Sequence, residues 1–237
     1  MTGTDPNARP RFAPATGADH RRSTAHDIEL AELHHTYQVG TPWARPALHD
    51  IDLVFPAGER ALVVGDNGSG KSTLAWILAG MVAPSSGRAM LGHDPLVEHR
   101  DRIGLVIQHT RLQLLRPTIG GELNTFTDNT ADQLGALAAL GFDPADRGQR
   151  IDSLSIGQQR RVGLAVQLAR RTPVLILDEP MAGLDRSSRR ALVDAVGRLS
   201  DETTVITVTH DLEDSAELGH RVIRLADGRL VGDEPSR

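Results

Sequence analysis

The sequence predicts an α/β fold organised around a mainly parallel β-sheet, and three observations lead to this prediction. Along most of the chain, short apolar segments typical of strands alternate with longer segments of helical periodicity. The apolar run at 61–64 passes through a glycine-rich turn directly into a helical run. The four consecutive apolar residues at 174–177 are typical of a strand buried on both faces. Because parallel neighbours need crossover connections, we expect helices on both faces of the sheet.

The predicted elements follow this alternation except in the middle of the chain. Two strands, 28–37 and 48–55, come first, and apolar residues in the second alternate with Asp50 and Asp52. The elements after them are a strand at 61–64, a helix at 73–79, a turn at 84–87, a short strand through Met90 and Leu91, a strand at 103–107, helical patches at 118–126, 132–140 and 157–170, a strand at 174–177, a helix at 187–199, a strand at 204–209, a helix after His210 and a hairpin turning at Asp227 and Gly228. We therefore expect a helical insert at about 110–171.

Length, charge and cysteine content limit the classes of protein that fit the sequence. The 237 residues suffice for one large domain or two small ones, with roughly three-quarters of the unfolded surface buried. The chain has no cysteine, which excludes disulfides and thiolate metal sites. Its net charge of −5 argues against nucleic acid as the main partner. No apolar run approaches the roughly 18 residues of a membrane helix, so any membrane role must come through a partner.

The first 27 residues differ in composition from the rest. They are rich in Pro, Thr, Ala, Arg and Gly and show no periodicity, which is typical of a disordered tail. Such a tail could be a dispensable leader or a docking segment, and we favour the dispensable leader. The ordered domain is then expected at 28–237.

The stretch GDNGSGKS at 65–72 matches the pattern G-x-x-x-x-G-K-[ST] of a P-loop, and it lies between a strand and a helix as that motif requires. Backbone N–H groups of such a loop wrap a polyphosphate at close range, which side chains at its glycines would obstruct. Lys71 would reach the outer phosphates and the Ser72 hydroxyl would ligate Mg²⁺. Lys71 is also the single lysine among 26 basic residues. The predicted nucleotide-binding residues here are Gly65, Asp66, Asn67, Gly68, Ser69, Gly70, Lys71, Ser72 and Thr73.

A second motif, LILDE at 175–179, places two carboxylates at the end of a hydrophobic strand. The carboxyl ends of parallel strands share one edge of the sheet, so Asp178 is expected beside the P-loop, where it can hold Mg²⁺. The adjacent Glu179 suits a different task, polarising the water that attacks the γ-phosphate. Two neighbouring acids with separate tasks are expected in an ATPase, whereas a P-loop alone would also admit kinases, GTPases and helicases.

A third motif, LSIGQQRR at 154–161, precedes LILDEP, and both are followed by AGLD at 182–185 and THD at 209–211. In this order the motifs resemble those of the ABC-type ATPase domain, and the resemblance runs from about Ile28 to the end of the chain. It implies a P-loop NTPase fold of ABC type, with a mainly parallel sheet core, an N-terminal antiparallel β subdomain and a helical subdomain insert. The segment at 103–123 is also similar to the ATPases of cobalt importers and energy-coupling-factor vitamin importers, with Gln113 in the place of their second glutamine.

The resemblance implies roles for residues outside the P-loop. Tyr37 would stack on adenine, with Trp43 as a substitute and a core aromatic as the alternative interpretation of Tyr37. Gln108 would lie near Mg²⁺ and the attacking water, and His210 would contact the γ-phosphate. The residues implied to lie at the seam with the ATP of a second subunit are Ser155, Gly157, Gln158 and Asp185.

One residue departs from the family pattern. The usual signature is Leu-Ser-Gly-Gly-Gln, whereas Ile156 stands here in place of the first glycine. A β-branched residue would be strained at positive φ. We therefore expect Ile156 at a helix start with ordinary φ, while Gly157 keeps the close approach to phosphate. The hypothesis is that the site remains active.

The resemblance also implies partners. ATP would join two subunits, identical or related, head to tail, and hydrolysis would separate them. A separate integral membrane permease would dock near Gln108 and the helical insert, which places the chain on the cytoplasmic face of the membrane. Metal-ion or vitamin uptake is the expected process, with export left open. The alternative is a soluble ABC ATPase that does not transport, such as a helper of cluster assembly or cell division.

Overall fold

Two β-sheets organise the chain in the computed structural model, which describes residues 26–108 and 110–235. The predicted N-terminal tail therefore lies almost entirely outside the described residues. Within them, no helix is both long enough and apolar enough to cross a lipid bilayer.

The elements alternate as predicted. The strands are β1 (Ile28–Tyr37), β2 (Arg45–Phe55), β3 (Arg60–Val64), β4 (Ser86–Leu91), β5 (Asp94–Pro95), β6 (Ile103–Val106), β7 (Val174–Asp178), β8 (Thr204–Thr209), β9 (Arg221–Ala226) and β10 (Arg229–Pro235). The helices are α1 (Lys71–Leu78), α2 (Ile119–Leu123), α3 (Thr130–Ala139), α4 (Ile156–Ala169), α5 (Arg186–Gly197) and α6 (Leu212–Ser215). The second strand begins earlier than predicted because Arg45 still pairs with Tyr37 of β1.

The larger sheet has the order β10-β9-β3-β8-β7-β6, and all its pairs are parallel except β10 with β9. Both of its faces are covered. In β3, Leu62 and Val64 pack into one hydrophobic core, whereas Ala61 and Val63 pack into a second core on the opposite face. This two-sided burial is the reason why β3 and β7 are continuously apolar. The predicted mainly parallel α/β fold is confirmed.

The smaller sheet is antiparallel, in the order β2-β1-β4-β5, and packs with α1 over the second core. Its strands alternate buried and exposed residues along much of their length, as expected for a sheet with one solvated face. The antiparallel β subdomain implied by the family resemblance is therefore present.

The middle of the chain, between β6 and β7, forms three helices with polar N-caps. Thr118 caps α2, Asn129 caps α3 and Ser155 caps α4, each through a side-chain oxygen that accepts a backbone N–H. Leu137 of α3 and Val162 of α4 are fully buried in the first core. The helices therefore form one packed unit with the face of the parallel sheet.

A guanidinium group joins the two sheets at the carboxyl-terminal hairpin. Arg221 of β9 donates two hydrogen bonds to Asp233 of β10 (2.6 and 2.7 Å), two to Glu59 (2.9 and 3.1 Å) and one to the carbonyl oxygen of Val54 in β2 (2.8 Å). Burial raises the pKa of Glu59, and the positive charge of Arg221 opposes this rise. The carboxylates therefore depend on Arg221 for their charge compensation.

We expect Arg221→Met to lower the free energy of unfolding by about 2–3 kcal/mol, because two partly buried carboxylates lose their cation. Arg224→Met is the matched control on the same strand. Its ion pair with Glu234 is 46% and 54% exposed, against 19% and 18% for Arg221 with Asp233, so its loss should cost less than about 1 kcal/mol. Urea denaturation of both variants measures the difference.

The effect of Arg221→Met should also depend on pH. Without the cation, the pKa of Glu59 rises further in the folded state, so the variant gains stability as the pH falls through that pKa. An equal loss in the two variants, or a loss independent of pH, would contradict the proposed charge compensation.

Candidate nucleotide-binding site

The carboxyl ends of β3, β8, β7 and β6 lie along one edge of the parallel sheet. The P-loop, defined as residues 65–72, follows β3 directly. His210 follows β8, Glu179 follows β7 and Gln108 lies two residues beyond β6. The register pairs Val64 with Thr209 and Asp178 with Val208, which sets these strand ends at the same level. The fold thus brings together residues that are up to 145 positions apart between Gly65 and His210.

The P-loop closes around the ammonium group of Lys71. Its Nζ atom donates hydrogen bonds to the carbonyl oxygens of Gly65 (2.7 Å) and Asp66 (2.8 Å). Lys71 is buried, whereas Asp66, Asn67 and Gly68 at the tip of the loop and Ser72 at the start of α1 are exposed. The loop is supported from below by the N–H of Gly228, which donates to the carbonyl oxygen of Ser69 (2.9 Å). It therefore presents exposed backbone N–H groups above a fixed positive charge.

The surrounding protein, and not only a ligand, restricts which residues fit at the glycines of the loop. A Cβ atom on Gly65 would lie 2.1 Å from the carbonyl oxygen of Leu225, so no side chain fits there. Gly70 has φ 101° and would meet the carbonyl oxygen of Ala47 at 2.7 Å. Gly68 has open space around it but adopts φ 83°, which L-residues rarely adopt. That side chains at these glycines would also obstruct a bound polyphosphate stays a prediction.

The electrostatics of Lys71 show which carboxylates lie near it. Burial lowers the pKa of Lys71, and Glu179, Asp178 and Asp66 oppose this in decreasing order. Asp178 is itself buried at the end of β7. The acids of the LILDE strand therefore lie near enough to Lys71 to act on its charge, at the edge of the sheet where the sequence predicts them.

Glu179 is held tightly by the segment that follows β8. Its Oε1 atom accepts hydrogen bonds from the backbone N–H of His210 (3.0 Å) and pairs with His210 Nδ1 (2.7 Å), while Oε2 accepts one from the Thr209 hydroxyl (3.2 Å). The residue is buried and has φ 51°, an uncommon conformation outside glycine. Of the three residues predicted as catalytic, Glu179, His210 and Gln108, the first two thus form one hydrogen-bonded unit.

Of the two aromatic residues considered for adenine stacking, Tyr37 lies beside the P-loop and Trp43 makes no comparable contact. The Tyr37 hydroxyl is 3.1 Å from Thr73 Oγ1, just past the P-loop, and the ring packs edge-on against His35 at 4.7 Å between centroids. Tyr37 is half-buried, so one side of it remains accessible. Trp43 is 72% exposed and has no ring contact within the described part of the chain. The geometry favours Tyr37 over Trp43 for stacking on a base.

The segment after β6 is fixed by a different glutamine from the one predicted to act. Gln113 accepts a hydrogen bond from the N–H of Ile107 (3.1 Å) and donates one to the carbonyl oxygen of Leu105 (2.9 Å). Gln108 has an exposed side chain, and its carbonyl oxygen accepts a hydrogen bond from Arg160 (3.0 Å). Gln113 therefore holds the segment in place and Gln108 remains free to reach a ligand.

The signature residues form a second cluster. Ser155 caps α4, and Ser155 and Gln158 exchange hydrogen bonds in a capping box (2.8 and 3.2 Å). Asp185 caps α5 by accepting from Ser188 N–H (2.7 Å), and this bond lowers the pKa of Asp185. A Cβ atom on Gly157 would lie 3.8 Å from Leu184, beside that cap. The two helix starts are thus neighbours.

This second cluster is separate from the P-loop within one chain. Among the described residues, no hydrogen bond or ion pair joins Ser155, Gly157, Gln158 or Asp185 to residues 65–72. Ile156 is the first residue of α4, has no positive φ and is 72% exposed. The prediction that it lies at a helix start with ordinary φ is confirmed.

Two contacts of the site escaped the sequence reasoning. Thr209 bonds Glu179 through its hydroxyl, and Arg160 bonds the backbone after β6. Both residues belong to motifs that were recognised, THD and LSIGQQRR, but no spacing in the sequence shows which side chain reaches which strand end. Sequence proximity to a motif was the only available signal.

Comparisons with known proteins agree with this geometry. The family model described as "ABC transporter" matches residues 48–182. The chain is 43% identical over 224 residues to the uncharacterized ABC transporter ATP-binding protein Rv2326c of Mycobacterium tuberculosis, covering 92% of this chain but 32% of that protein. It thus spans about a third of that relative's length. It is 40% identical to the energy-coupling factor transporter ATP-binding protein EcfA2 of Symbiobacterium thermophilum, covering 86% of this chain and 76% of that protein.

Solved structures give the same result. CbiO1 of Clostridium perfringens, part of the ABC transporter complex cbiONQ, is 29% identical with a TM-score of 0.74, covering 87% of each chain. The ATP-binding cassette MJ0796, in a dimeric post-hydrolysis state with ADP and Pi, is 27% identical with a TM-score of 0.77, covering 89% of this chain and 99% of that one. The predicted similarity to cobalt and energy-coupling-factor ATPases is confirmed. Because the family model matches more than half of the chain and the relatives align along nearly all of it, the chain belongs to the ATP-binding proteins of ABC transporters.

Proposed function

We propose that the chain binds and hydrolyses ATP at a head-to-tail dimer interface and thereby drives transport through a separate membrane subunit. The observation that carries this proposal is that Lys71 and the hydrogen-bonded pair Glu179–His210 lie at the same edge of the sheet, where the charge of Glu179 acts on Lys71. A phosphate-binding loop supplies the positive charge and N–H donors, and the neighbouring acid supplies a group that can orient water. The alternative of a soluble ATPase without a transport role finds no support among the four relatives described above, because each is named as part of a transporter or as an ATP-binding cassette.

Nucleotide binding is assigned to the P-loop and to Tyr37. The exposed tip residues, Asp66 to Gly68, offer backbone N–H groups to phosphate oxygens, and the start of α1 adds its positive dipole end. Lys71 would exchange its bonds to loop carbonyls for phosphate oxygens, which are stronger acceptors because they are charged. Tyr37, anchored through Thr73, would carry the adenine ring.

Ser72, Asp178 and Gln108 would hold Mg²⁺. The three side chains offer a hydroxyl, a carboxylate and an amide oxygen, which are the hard oxygen donors that Mg²⁺ prefers. Ser72 and Gln108 are exposed and therefore accessible, and Asp178 lies close enough to Lys71 to oppose the lowering of its pKa by burial. The donor set thus fits the ion, which when bound would neutralise phosphate charge.

Hydrolysis is assigned to Glu179, with His210 as its neighbour on the γ-phosphate. The buried carboxylate would orient the attacking water and accept its proton. His210 pairs with Glu179 through Nδ1, which leaves Nε2 for the γ-phosphate. Thr209 fixes the second oxygen of Glu179 and so restricts rotation of the carboxylate.

A dimer would complete the site. Among the described residues the signature cluster makes no hydrogen bond to the P-loop of its own chain, and Ser155, Gly157 and Gln158 would face the γ-phosphate of a nucleotide held by a second subunit. Two copies related by a two-fold axis satisfy both sites at once. The dimeric arrangement of MJ0796 supports this assembly.

A groove between the core and the helical insert is the proposed seat of the membrane subunit. It has a volume of about 300 Å³ and is lined by Met81, Leu105, Gln113, Phe126 and Arg170, among others. Met81 and Phe126 are 56% and 49% exposed. Large apolar side chains that are exposed together in a groove favour a protein partner. Docking there would place the chain on the cytoplasmic face of the membrane, where uptake of a metal ion or vitamin is the process the family resemblance favours.

We expect Glu179→Gln to reduce ATP turnover by a factor of about 10² or more, because the amide cannot accept the proton of the attacking water. The same variant should form an ATP-stabilised dimer in size-exclusion chromatography with Mg-ATP. Glu98→Gln, at an exposed position, is the control and should leave both readings unchanged. Normal turnover in Glu179→Gln, or a variant that stays monomeric with Mg-ATP, would contradict the assignment.

Tyr37→Ala should weaken ATP binding about tenfold, since stacking of a base on an aromatic ring contributes roughly 1–3 kcal/mol. Trp43→Ala should change the dissociation constant by less than about twofold, because Trp43 is 72% exposed and has no hydrogen bond or ring contact to the P-loop among the described residues. Tyr37→Phe separates the ring from its hydroxyl bond to Thr73 and should retain most of the affinity. Isothermal titration calorimetry with ATP compares the three, and a larger loss for Trp43→Ala would reverse the assignment.

Met81→Asp should abolish co-purification of a multi-span membrane protein from detergent-solubilised membranes, because a charge would be buried in the apolar groove. Val231→Asp, at a site that is 50% exposed on β10, is the matched control and should retain the partner. Retention by Met81→Asp would move the docking surface elsewhere. Failure of the wild-type chain to retain any membrane protein would speak against the transporter role.

A further inference from the structure

Arg160 connects three parts of the site that otherwise lie on separate elements. It belongs to α4, the helix that begins at the signature, and its Nη2 atom donates a hydrogen bond to the carbonyl oxygen of Gln108 (3.0 Å). Glu179 attracts its positive charge, and Arg160 and Glu179 line the same small cavity, of about 10 Å³. The proposed function assigns no role to this guanidinium group.

The other terminal nitrogen of Arg160 has an unusual environment. Nη1 is buried, and no acceptor for it exists among the described residues. A buried donor without an acceptor is destabilising, so its presence calls for an explanation, and a catalytic role is one of those known for such groups. The acidic group that shares its cavity is Glu179, whose two oxygens are at present bonded by His210 and Thr209.

The helix that carries Arg160 packs too closely on the Gln108 segment to move without it. A Cβ atom on Gly163 of α4 would lie 2.1 Å from Thr110 Cγ2, and Thr110 in turn bonds the carbonyl oxygen of Ile107 (3.0 Å). A shift of α4 therefore carries the Gln108 segment with it. Arg160 lies on the same helix, bonds the backbone of Gln108 and lines the cavity that Glu179 also lines.

We propose that Arg160 is a positioning residue that ties the signature helix and the Gln108 segment to the carboxylate of Glu179. The proposal rests on the proposed function, in which Glu179 orients the attacking water. In the closed site His210 keeps its Nδ1 bond to Glu179, and Nη1 of Arg160 is an additional donor that holds the carboxylate in position. Arg160 thus acts on the chemistry through Glu179, and only when α4 is in place.

The test is a double-mutant cycle on the full chain. Arg160→Met should lower the single-turnover rate of bound ATP by a factor of about 10–100, while the dissociation constant for ATP changes less than about threefold, since the side chain of Arg160 bonds the backbone of Gln108 and makes no hydrogen bond to the P-loop or to Tyr37 among the described residues. Arg160→Lys, which keeps a cation but has one donor group, should recover part of the rate. In a Glu179→Gln background, Arg160→Met should add less than a twofold loss, because the group it positions is already gone.

Controls separate this role from a structural one and from failure of the proposed function. Arg150→Met removes an exposed arginine of the same insert, whose side chain pairs with the exposed Asp152, and should leave the rate unchanged. Should Arg160→Met fail to fold, Arg160→Lys and Arg160→Gln carry the cycle. A full rate in Arg160→Met, or a loss equally large with and without Glu179, overturns the proposal while ATP turnover by the wild type still stands. Absence of turnover in the wild-type chain instead overturns the proposed function, and this proposal with it.

Discussion

Parallel hydrogen bonding of β3 with β8, and of β8 with β7, is the constraint on which the site depends. The register aligns the last residues of these strands, so the P-loop, His210 and Glu179 emerge at one level. A slip of one residue would turn every side chain of a strand to the opposite face. The slip is prevented by burial, because both faces of β3 and β7 are filled by separate hydrophobic cores. Core packing therefore fixes the distances between groups that perform chemistry.

Polar contacts then complete what the strands begin. Lys71 is held by two loop carbonyls, Glu179 by His210 and Thr209, and the segment after β6 by Gln113. Each of these contacts joins a strand end to the loop that follows it or to its neighbour. Such local fixation preorganises the site before a ligand arrives, which reduces the ordering cost of binding. The positive φ of Glu179 is tolerated because three hydrogen bonds determine its position.

The sequence was sufficient for the fold and for the members of the site, but not for their contacts. Strand and helix alternation, the apolar run before the P-loop and the acid-ended strand at 174–178 carry strong local patterns, and family membership followed from the order of motifs. The tertiary partner of a side chain has no such pattern. Nothing in LSIGQQRR shows that Arg160 reaches Gln108, or that Gln113 bonds Leu105 and Ile107. The start of β2 was misjudged because Pro46 weakens the strand signal, although pairing with β1 extends it to Arg45.

The single lysine of the chain has a practical consequence for chemical biology. No other side chain carries a primary amine, and this one is buried within the P-loop. Amine-directed acylation of lysine side chains is thus confined to Lys71. Because Lys71 is buried, the rate of its acylation reports how often the loop opens. Arginine supplies the other 25 of the 26 basic side chains, and its guanidinium group is not a primary amine.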